Sequence, residues 1–235
     1  MLSNLLPAVL GLVVGYLFGS FPTGYFAGRL YGVDVRRHGS GRTGGSNVLR
    51  SAGVPAFLIT IFGDVLKGML PILLMRMLWP AYDSAPALAL LGVLLGHNWS
   101  IFIALLAPQA EKTAPTNPYE FVKSFFARAK GGAGVATTAG AALTLFWPPI
   151  VPLLILGIGI VVIFKYSSLA SITVAILYPL LMAFFVWRGD APPVDLLVSL
   201  ISGAIVVYVL IPNMKRLRAG TEQKFGQRLG QKPIR

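Results

Sequence analysis

Long apolar runs constrain this chain more than any other feature. A helix needs about 20 predominantly apolar residues to cross the hydrocarbon core of a bilayer. Runs of this kind recur at 5–31, 54–79, 86–107, 134–148, 149–166, 168–187 and 194–211. The segment 134–166 reads either as two short spans broken at Trp147-Pro148-Pro149 or as one long kinked helix. Only 12% of the 235 residues are charged, against about a quarter in soluble chains. The mean hydropathy of +0.73 agrees, and an ordinary soluble domain is excluded. The start, Met1-Leu2-Ser3-Asn4, has no basic stretch before its apolar run, which predicts a retained first span rather than a cleaved signal.

The charges that remain are mostly positive, with a net charge of +12. Basic loops stay on the cytoplasmic side of a membrane. One set of connections holds Arg36, Arg37, Arg42 and Arg50, then Lys112, Lys123, Arg128 and Lys130, then Lys165. The tail adds Lys215, Arg216, Arg218, Lys224, Arg228, Lys232 and Arg235. The other set, Pro80–Pro86, Trp147–Pro149 and Gly189–Pro193, has none, with Arg188 at one edge. The alternation predicts an all-α polytopic membrane protein: seven transmembrane helices in a single domain over 1–235, N-terminus outside, C-terminus cytoplasmic. Short re-entrant or Gly-rich loops are expected on the cytoplasmic face, with a polar insertion at about 108–129. Within it, Phe121, Phe125 and Phe126 alternate with Lys123 and Arg128. That pattern predicts either an amphipathic helix around Tyr119–Ala129 on an anionic surface or a solvated loop. The absence of cysteine rules out disulfides, thiolate zinc sites and a cysteine nucleophile, and two histidines make no metal cluster. No metal, cofactor or nucleic-acid partner is expected.

In the first span Gly11, Gly15 and Gly19, then Gly24 and Gly28, recur at four-residue intervals, a spacing that lets another helix approach closely. Three polar stretches on the basic face ask for another explanation. Arg36–Arg50 reads R-R-H-G-S-G-R-T-G-G-S-N-V-L-R. Gly39, Gly41, Gly44 and Gly45 permit close backbone approach, Ser40, Thr43, Ser46 and Asn47 offer short donors, and Arg42 and Arg50 offer charge. Successive amides in such a loop form an anion-binding nest. A G-x-G-x-x-G match falls at Gly39, Gly41 and Gly44, but an apolar helix precedes it rather than a strand of a βαβ unit. Lys130–Thr138, K-G-G-A-G-V-A-T-T, opens the fourth span and offers free amides at a helix N-terminus. The third stretch, Asn213–Phe225, carries Asn213, Arg216, Glu222 and Lys224. Two Gly-rich loops on one face suggest a ligand with two phosphates, or two phosphorylated ligands. Asp64 and Lys67 lie three apart in the second span, a spacing for an ion pair that serves either the fold or a ligand. His97 near the end of the third span reads as a hydrogen-bonded strut or a base.

These motifs together resemble the bacterial acyl-phosphate:glycerol-3-phosphate acyltransferases, the PlsY family. The resemblance runs through G-S-F-P-T-G-Y at Gly19–Tyr25, H-G-S-G at His38–Gly41, N-V-L-R at Asn47–Arg50 and D-V-L-K-G at Asp64–Gly68. It continues with L-G-H-N-W at Leu95–Trp99, K-G-G-A-G-V-A-T at Lys130–Thr137, S-S-L at Ser167–Leu169, N-M-K-R-L at Asn213–Leu217 and G-T-E-Q-K at Gly220–Lys224. The chain departs from the family pattern at Ala133, where a second lysine is usual, at Leu210, where a histidine is usual, and at Arg42, where asparagine is usual.

The resemblance implies a seven-span enzyme of the bacterial inner membrane with its active site on the cytoplasmic side. It would move a fatty acyl group from acyl-phosphate to the 1-hydroxyl of glycerol 3-phosphate, giving lysophosphatidic acid and phosphate. Its partners would be those two substrates and membrane lipid, with no obligate protein partner. Ser40, Arg50 and Asn213 would be catalytic. Gly39, Gly41, Arg42, Thr43, Asn47, Lys67, His97, Lys130, Gly131, Gly132, Gly134, Thr137, Arg216 and Glu222 would bind substrate, Asn47 by orienting a phosphate or bracing its loop. A relative with altered activity on another phosphorylated substrate, or an anion transporter, is the alternative. Transporters place their sites near the midplane and are commonly built from repeats, and no repeat is seen.

Overall fold

The computed structural model describes residues 2–106 and 117–227. Residues 108–116 of the expected insertion, with Lys112, and the tail residues Arg228, Lys232 and Arg235 lie outside them. The described residues form twelve α-helices: α1 (Leu2–Ser20), α2 (Thr23–Leu30), α3 (Gly45–Ala52), α4 (Val54–Leu78), α5 (Ser84–Asn98), α6 (Ile101–Leu106), α7 (Pro118–Arg128), α8 (Val135–Leu145), α9 (Ile150–Phe164), α10 (Ser167–Trp187), α11 (Pro193–Val209) and α12 (Ile211–Arg218). A short 3-10 turn, Val35–Arg37, lies between α2 and α3. Large side chains such as Phe62, Met77, Ile155, Ile163 and Leu180 stand exposed on the bundle exterior. A belt of apolar groups facing outward is stable only where the surrounding medium is itself apolar.

Glycine sets the tightest packing. A Cβ at Gly11, Gly15 or Gly19 of α1 would collide with the carbonyl oxygen of Ala85, Ala89 or Val93 of α5. Gly92 and Gly96 of α5 answer from the other side against Leu12 and Tyr16. The regular interval in the sequence is therefore a backbone-to-backbone seam. α4 packs on α8 by the same means, Gly68 against Thr137 and Gly140 against Val65. A buried apolar cluster including Ile72, Met75, Leu90, Met182 and Val198 fills the centre.

Two expected spans are interrupted, and the last ends at a bend. The first breaks at Phe21-Pro22, because proline has no N–H to continue the helix. The carbonyl of Phe21 then turns to Lys67 Nζ, 2.8 Å away. The third breaks at Trp99, where Ser100 N–H donates to Ala129 O at 2.9 Å instead of back into the helix. The last bends by 54° between α11 and α12, with Pro212 in the first turn after the bend. The segment 134–166 forms two separate helices, α8 and α9, as Pro148 and Pro149 require. By length and composition three segments could cross a membrane, Leu5–Leu30, Val54–Leu78 and Ser167–Trp187, or four with the bent α11–α12 pair. α8, with 11 residues, reaches about 16 Å, roughly half the hydrocarbon thickness. The insertion does contain a helix: α7 is capped by Asn117, whose side chain accepts from Glu120 N–H at 2.8 Å, and begins with Pro118. None of its residues is buried.

Candidate functional site

The polar stretches converge at one end of the bundle. In the first loop, Asn47 is buried at 3% exposure, and its amide holds the turn together. Its Nδ2 donates to the carbonyls of Val35, His38 and Arg42 at 2.9, 3.1 and 2.8 Å, and its Oδ1 accepts from Ser40 N–H at 3.2 Å. Of its two expected roles the structure shows the brace, since both amide hydrogens are committed to these carbonyls. The loop is clasped from outside by Asp34 and Arg36, paired at 2.8 Å. The hydrogen bond from Arg36 holds the Asp34 carboxyl down at about 2, and Arg36 also donates to Leu106 O at 3.0 Å.

The second loop leads into α8. Gly131 N–H donates to Asn98 O at 3.0 Å, and a side chain at Gly131 would strike the His97 carbonyl. Gly134 caps the helix at φ 86°, a conformation suited to glycine. The first intrahelical bond, Thr138 N–H to Gly134 O, is 2.7 Å. The amides of the turn before Thr138 thus remain unpaired, as at any helix N-terminus.

Arg42 joins the loops. Its guanidinium donates to Gly132 O at 3.1 Å and to Val209 O at 3.3 Å. Those carbonyls precede Ala133 and Leu210, the two places where the family resemblance predicts a lysine and a histidine. The third stretch is organised by Glu222. It accepts from Ser168 Oγ at 2.8 Å, from Asn213 Nδ2 at 2.7 Å and from Arg216 Nε at 2.7 Å. Ser46 and Ser167 meet Oγ to Oγ at 2.9 Å, tying α3 to α10.

Between these elements lies a cavity of about 600 Å³. Its polar end is walled by Ser40, Arg42, Gly44, Gly45, Ser46, Arg50, Gly132, Gly134, Ser167, Ser168, Asn213 and Glu222. Its other end is apolar, with Leu153, Leu154, Ile158, Val161, Val174 and Val206. Burial, and then the neighbouring Arg216, lowers Arg42 from its ordinary value. Burial also lowers Arg50, while Glu222 raises it. Among the described residues neither guanidinium forms an ion pair, and Arg50 Nε is buried without a partner. Half-buried guanidinium groups of this kind favour an anion, which they bind with charge-assisted hydrogen bonds.

The structure thus brings Ser40, Arg42, Arg50, Gly132, Gly134, Asn213 and Glu222 to one wall, with His97 and Asn47 at its edge. Other expected substrate contacts fall elsewhere. Lys67 is buried on Asp64 at 2.8 Å and on Phe21 O, so its charge is spent within the bundle. Lys130 is exposed and outside the cavity wall, its backbone bridged to Trp99. Thr137 is fully buried and meets His97 Nδ1 at 3.0 Å. Gly39, Gly41, Thr43, Gly131 and Arg216 support the wall without lining it. Ser46, read from the sequence as a short donor, lines it, and so do Ser167 and Ser168, of which only the motif stood out in the sequence. Among the described residues no group of three metal-ligating side chains occurs.

Comparison with known proteins follows the same segments. The family model for glycerol-3-phosphate acyltransferase matches residues 9–108 and 122–220, and the gap between the two stretches falls within the polar insertion. A curated glycerol-3-phosphate acyltransferase 2 of Moorella thermoacetica is 39% identical over 94% of this chain and 98% of its own length. The glycerol-3-phosphate acyltransferase of Rubrobacter xylanophilus is 37% identical over 94% and 97%. Two crystal structures of PlsY (YgiH), an integral membrane glycerol 3-phosphate acyltransferase, share the fold at 28% identity. The glycerol 3-phosphate form has a TM-score of 0.74 and covers 93% of this chain and 95% of that one. The lysophosphatidic acid form has a TM-score of 0.72, covering 92% and 94%. With the family match running from α1 to α12 and these relatives covered almost end to end, this chain belongs to the glycerol-3-phosphate acyltransferase family.

Proposed function

We propose that the protein is a membrane enzyme of phospholipid synthesis that transfers a fatty acyl group from acyl-phosphate to the 1-hydroxyl of glycerol 3-phosphate. The observation that carries the reading is the two-ended cavity: Arg42 and Arg50 at one end, an aliphatic slot continuous with it at the other. A phosphorylated head fits the first and an acyl tail the second. The basic connections argue for a seven-span single domain with its N-terminus outside and its site facing the cytoplasm, in the inner membrane of a bacterium.

The reaction asks for positioning and charge stabilisation more than for a strong base, because phosphate is a good leaving group. The acceptor hydroxyl oxygen forms a new bond to the acyl carbonyl carbon. The bond from that carbon to the donor phosphate oxygen breaks, and the electron pair leaves with phosphate. The hydroxyl proton passes to the departing phosphate or to a bound water. Ser40 and the free amides before Thr138 steady the donor phosphate and the developing oxyanion. Arg50, helped by Asn213, holds the acceptor phosphate. Arg42 supplies positive charge beside Ala133 and Leu210, which favours an active enzyme over a diverged relative.

The test uses purified protein with palmitoyl-phosphate and glycerol 3-phosphate, following phosphate and lysophosphatidic acid together. Removing one charge-assisted contact costs about 1.5–3 kcal/mol, so Arg50→Ala should lower kcat/KM for glycerol 3-phosphate by about tenfold to a hundredfold. Ser40→Ala should lower the rate with either substrate saturating. If both variants match the parent, the assignment fails.

A further inference from the structure

At the opposite end of the bundle from the acyl-transfer cavity lies a second one of about 390 Å³. It is formed where α4 and α8 end and α5 and α11 begin, and its wall includes Arg76, Trp79, Tyr82, Asp83, Asp190 and Asp195. Asp195 is only 3% exposed, and its Oδ1 is buried without a hydrogen-bond partner. It sits in the first turn of α11, which gives Oδ1 no donor. A buried carboxylate oxygen left in this state is costly. Among the described residues neither Asp83 nor Asp195 is within ion-pairing distance of a cation. Asp190 is already paired with Arg188 at 2.9 Å, and Arg76 donates to Leu145 O.

The depth of the cavity is marked by tryptophan. Three of the chain's four tryptophans, Trp79, Trp147 and Trp187, lie at this end, at or just beyond the ends of α4, α8 and α10. Trp147 and Trp187 are exposed. Tryptophan gathers at the headgroup level of a bilayer, so this cavity opens among lipid headgroups. A primary ammonium brings three donors to unpartnered carboxylates and is attracted to aromatic faces such as those of Trp79 and Tyr82. Arg76 stands on the same wall to meet a phosphate.

We propose that this cavity binds the zwitterionic headgroup of an ethanolamine phospholipid, its ammonium held by Asp195 and Asp83 and its phosphate by Arg76. The site lies apart from the acyl-transfer cavity, so its test needs no turnover and stands whether or not the acyl-transfer reading does.

The experiment takes the purified full-length protein in detergent and adds short-chain phosphatidylethanolamine, phosphatidylglycerol of the same chains, or free ethanolamine. Native mass spectrometry counts bound lipid, and tryptophan fluorescence follows thermal unfolding. Phosphatidylethanolamine should be retained over phosphatidylglycerol by about tenfold, the scale of one charged hydrogen-bonded contact. The preference should vanish in Asp195→Asn and weaken in Asp83→Asn. Equal retention of the two lipids, or a preference that survives in Asp195→Asn, overturns the proposal. Displacement of the lipid by ethanolamine at comparable concentration overturns the lipid assignment and leaves an amine site fed from solution. If Asp195→Asn does not fold, Asp83→Asn decides: an undiminished preference there refutes the site.

Discussion

Replacing Arg42 with lysine tests the central claim about the acyl-transfer site, because charge is kept and only the fork is lost. The guanidinium reaches two carbonyls on separate elements, Gly132 O at 3.1 Å and Val209 O at 3.3 Å. A lysine ends in a single compact ammonium without the planar fork, so one of the two contacts goes. Gly132 O keeps a second donor in Asn98, whose amide, oriented to donate, lies 2.8 Å away. Val209 O has no such reserve among the side chains described. Losing one charged contact costs about 1.5–3 kcal/mol, which corresponds to about tenfold to a hundredfold in rate if it is felt in the transition state. The assay is kcat and KM for acyl-phosphate and for glycerol 3-phosphate, with thermal unfolding measured in parallel. The expected result is a fall in kcat/KM of at least about tenfold, with a smaller loss of stability. A lysine variant within about threefold of the parent would refute the bridging role. So would a variant whose entire defect is a lowered melting temperature.

Glu222→Gln keeps an acceptor for Ser168 and Asn213 but presents an amide to Arg216; activity should order parent, then Gln, then Ala, and equal Gln and Ala rates would sink the hub assignment. Gly15→Val places methyl groups against the carbonyl of Ala89, an overpacking cost of about 1–3 kcal/mol that should appear as a lowered melting temperature and reduced yield of folded protein. The Asp34 carboxyl is held at about 2 from a usual 3.8, first by the Arg36 hydrogen bond. A folded value below the unfolded one means the stabilisation is complete above about pH 4 and is lost as pH falls towards 2. Pepsin cleavage of the 34–42 loop should therefore rise across that window, and Asp34→Asn should be cleaved readily at its upper edge as well.

The sequence carried the helical class and the stretches that gather at the site, because both rest on local signals: apolar runs and glycine-rich polar turns. The breaks were partly visible. Pro22 stands in the first run, yet the hydropathy continues through it, and only the partner Lys67 explains why a broken helix is stable there. The break at Trp99 could not be read, since its cause is the non-local bridge to Lys130. The same limit applies to side chains. An asparagine in a polar loop suits a ligand or a turn equally well, and the four contacts of Asn47 decide for the turn. Lys67 looked available because its spacing to Asp64 said nothing of the Phe21 carbonyl. Ser46 and Ser167 are 121 positions apart, and no pattern in either segment announces their meeting.

The wall of the cavity at the polar end of the bundle draws on residues from Ser40 to Phe225, and its last polar contributor, Glu222, lies far along the chain from its first. Until Glu222 has emerged from the ribosome, Asn213, Arg216 and Ser168 lack their shared acceptor. A nascent chain with all its long helices already in the bilayer would still have an unfinished site. On the proposed function the catalyst would come into being late, after the scaffold, and a half-made copy would be idle while it is being inserted.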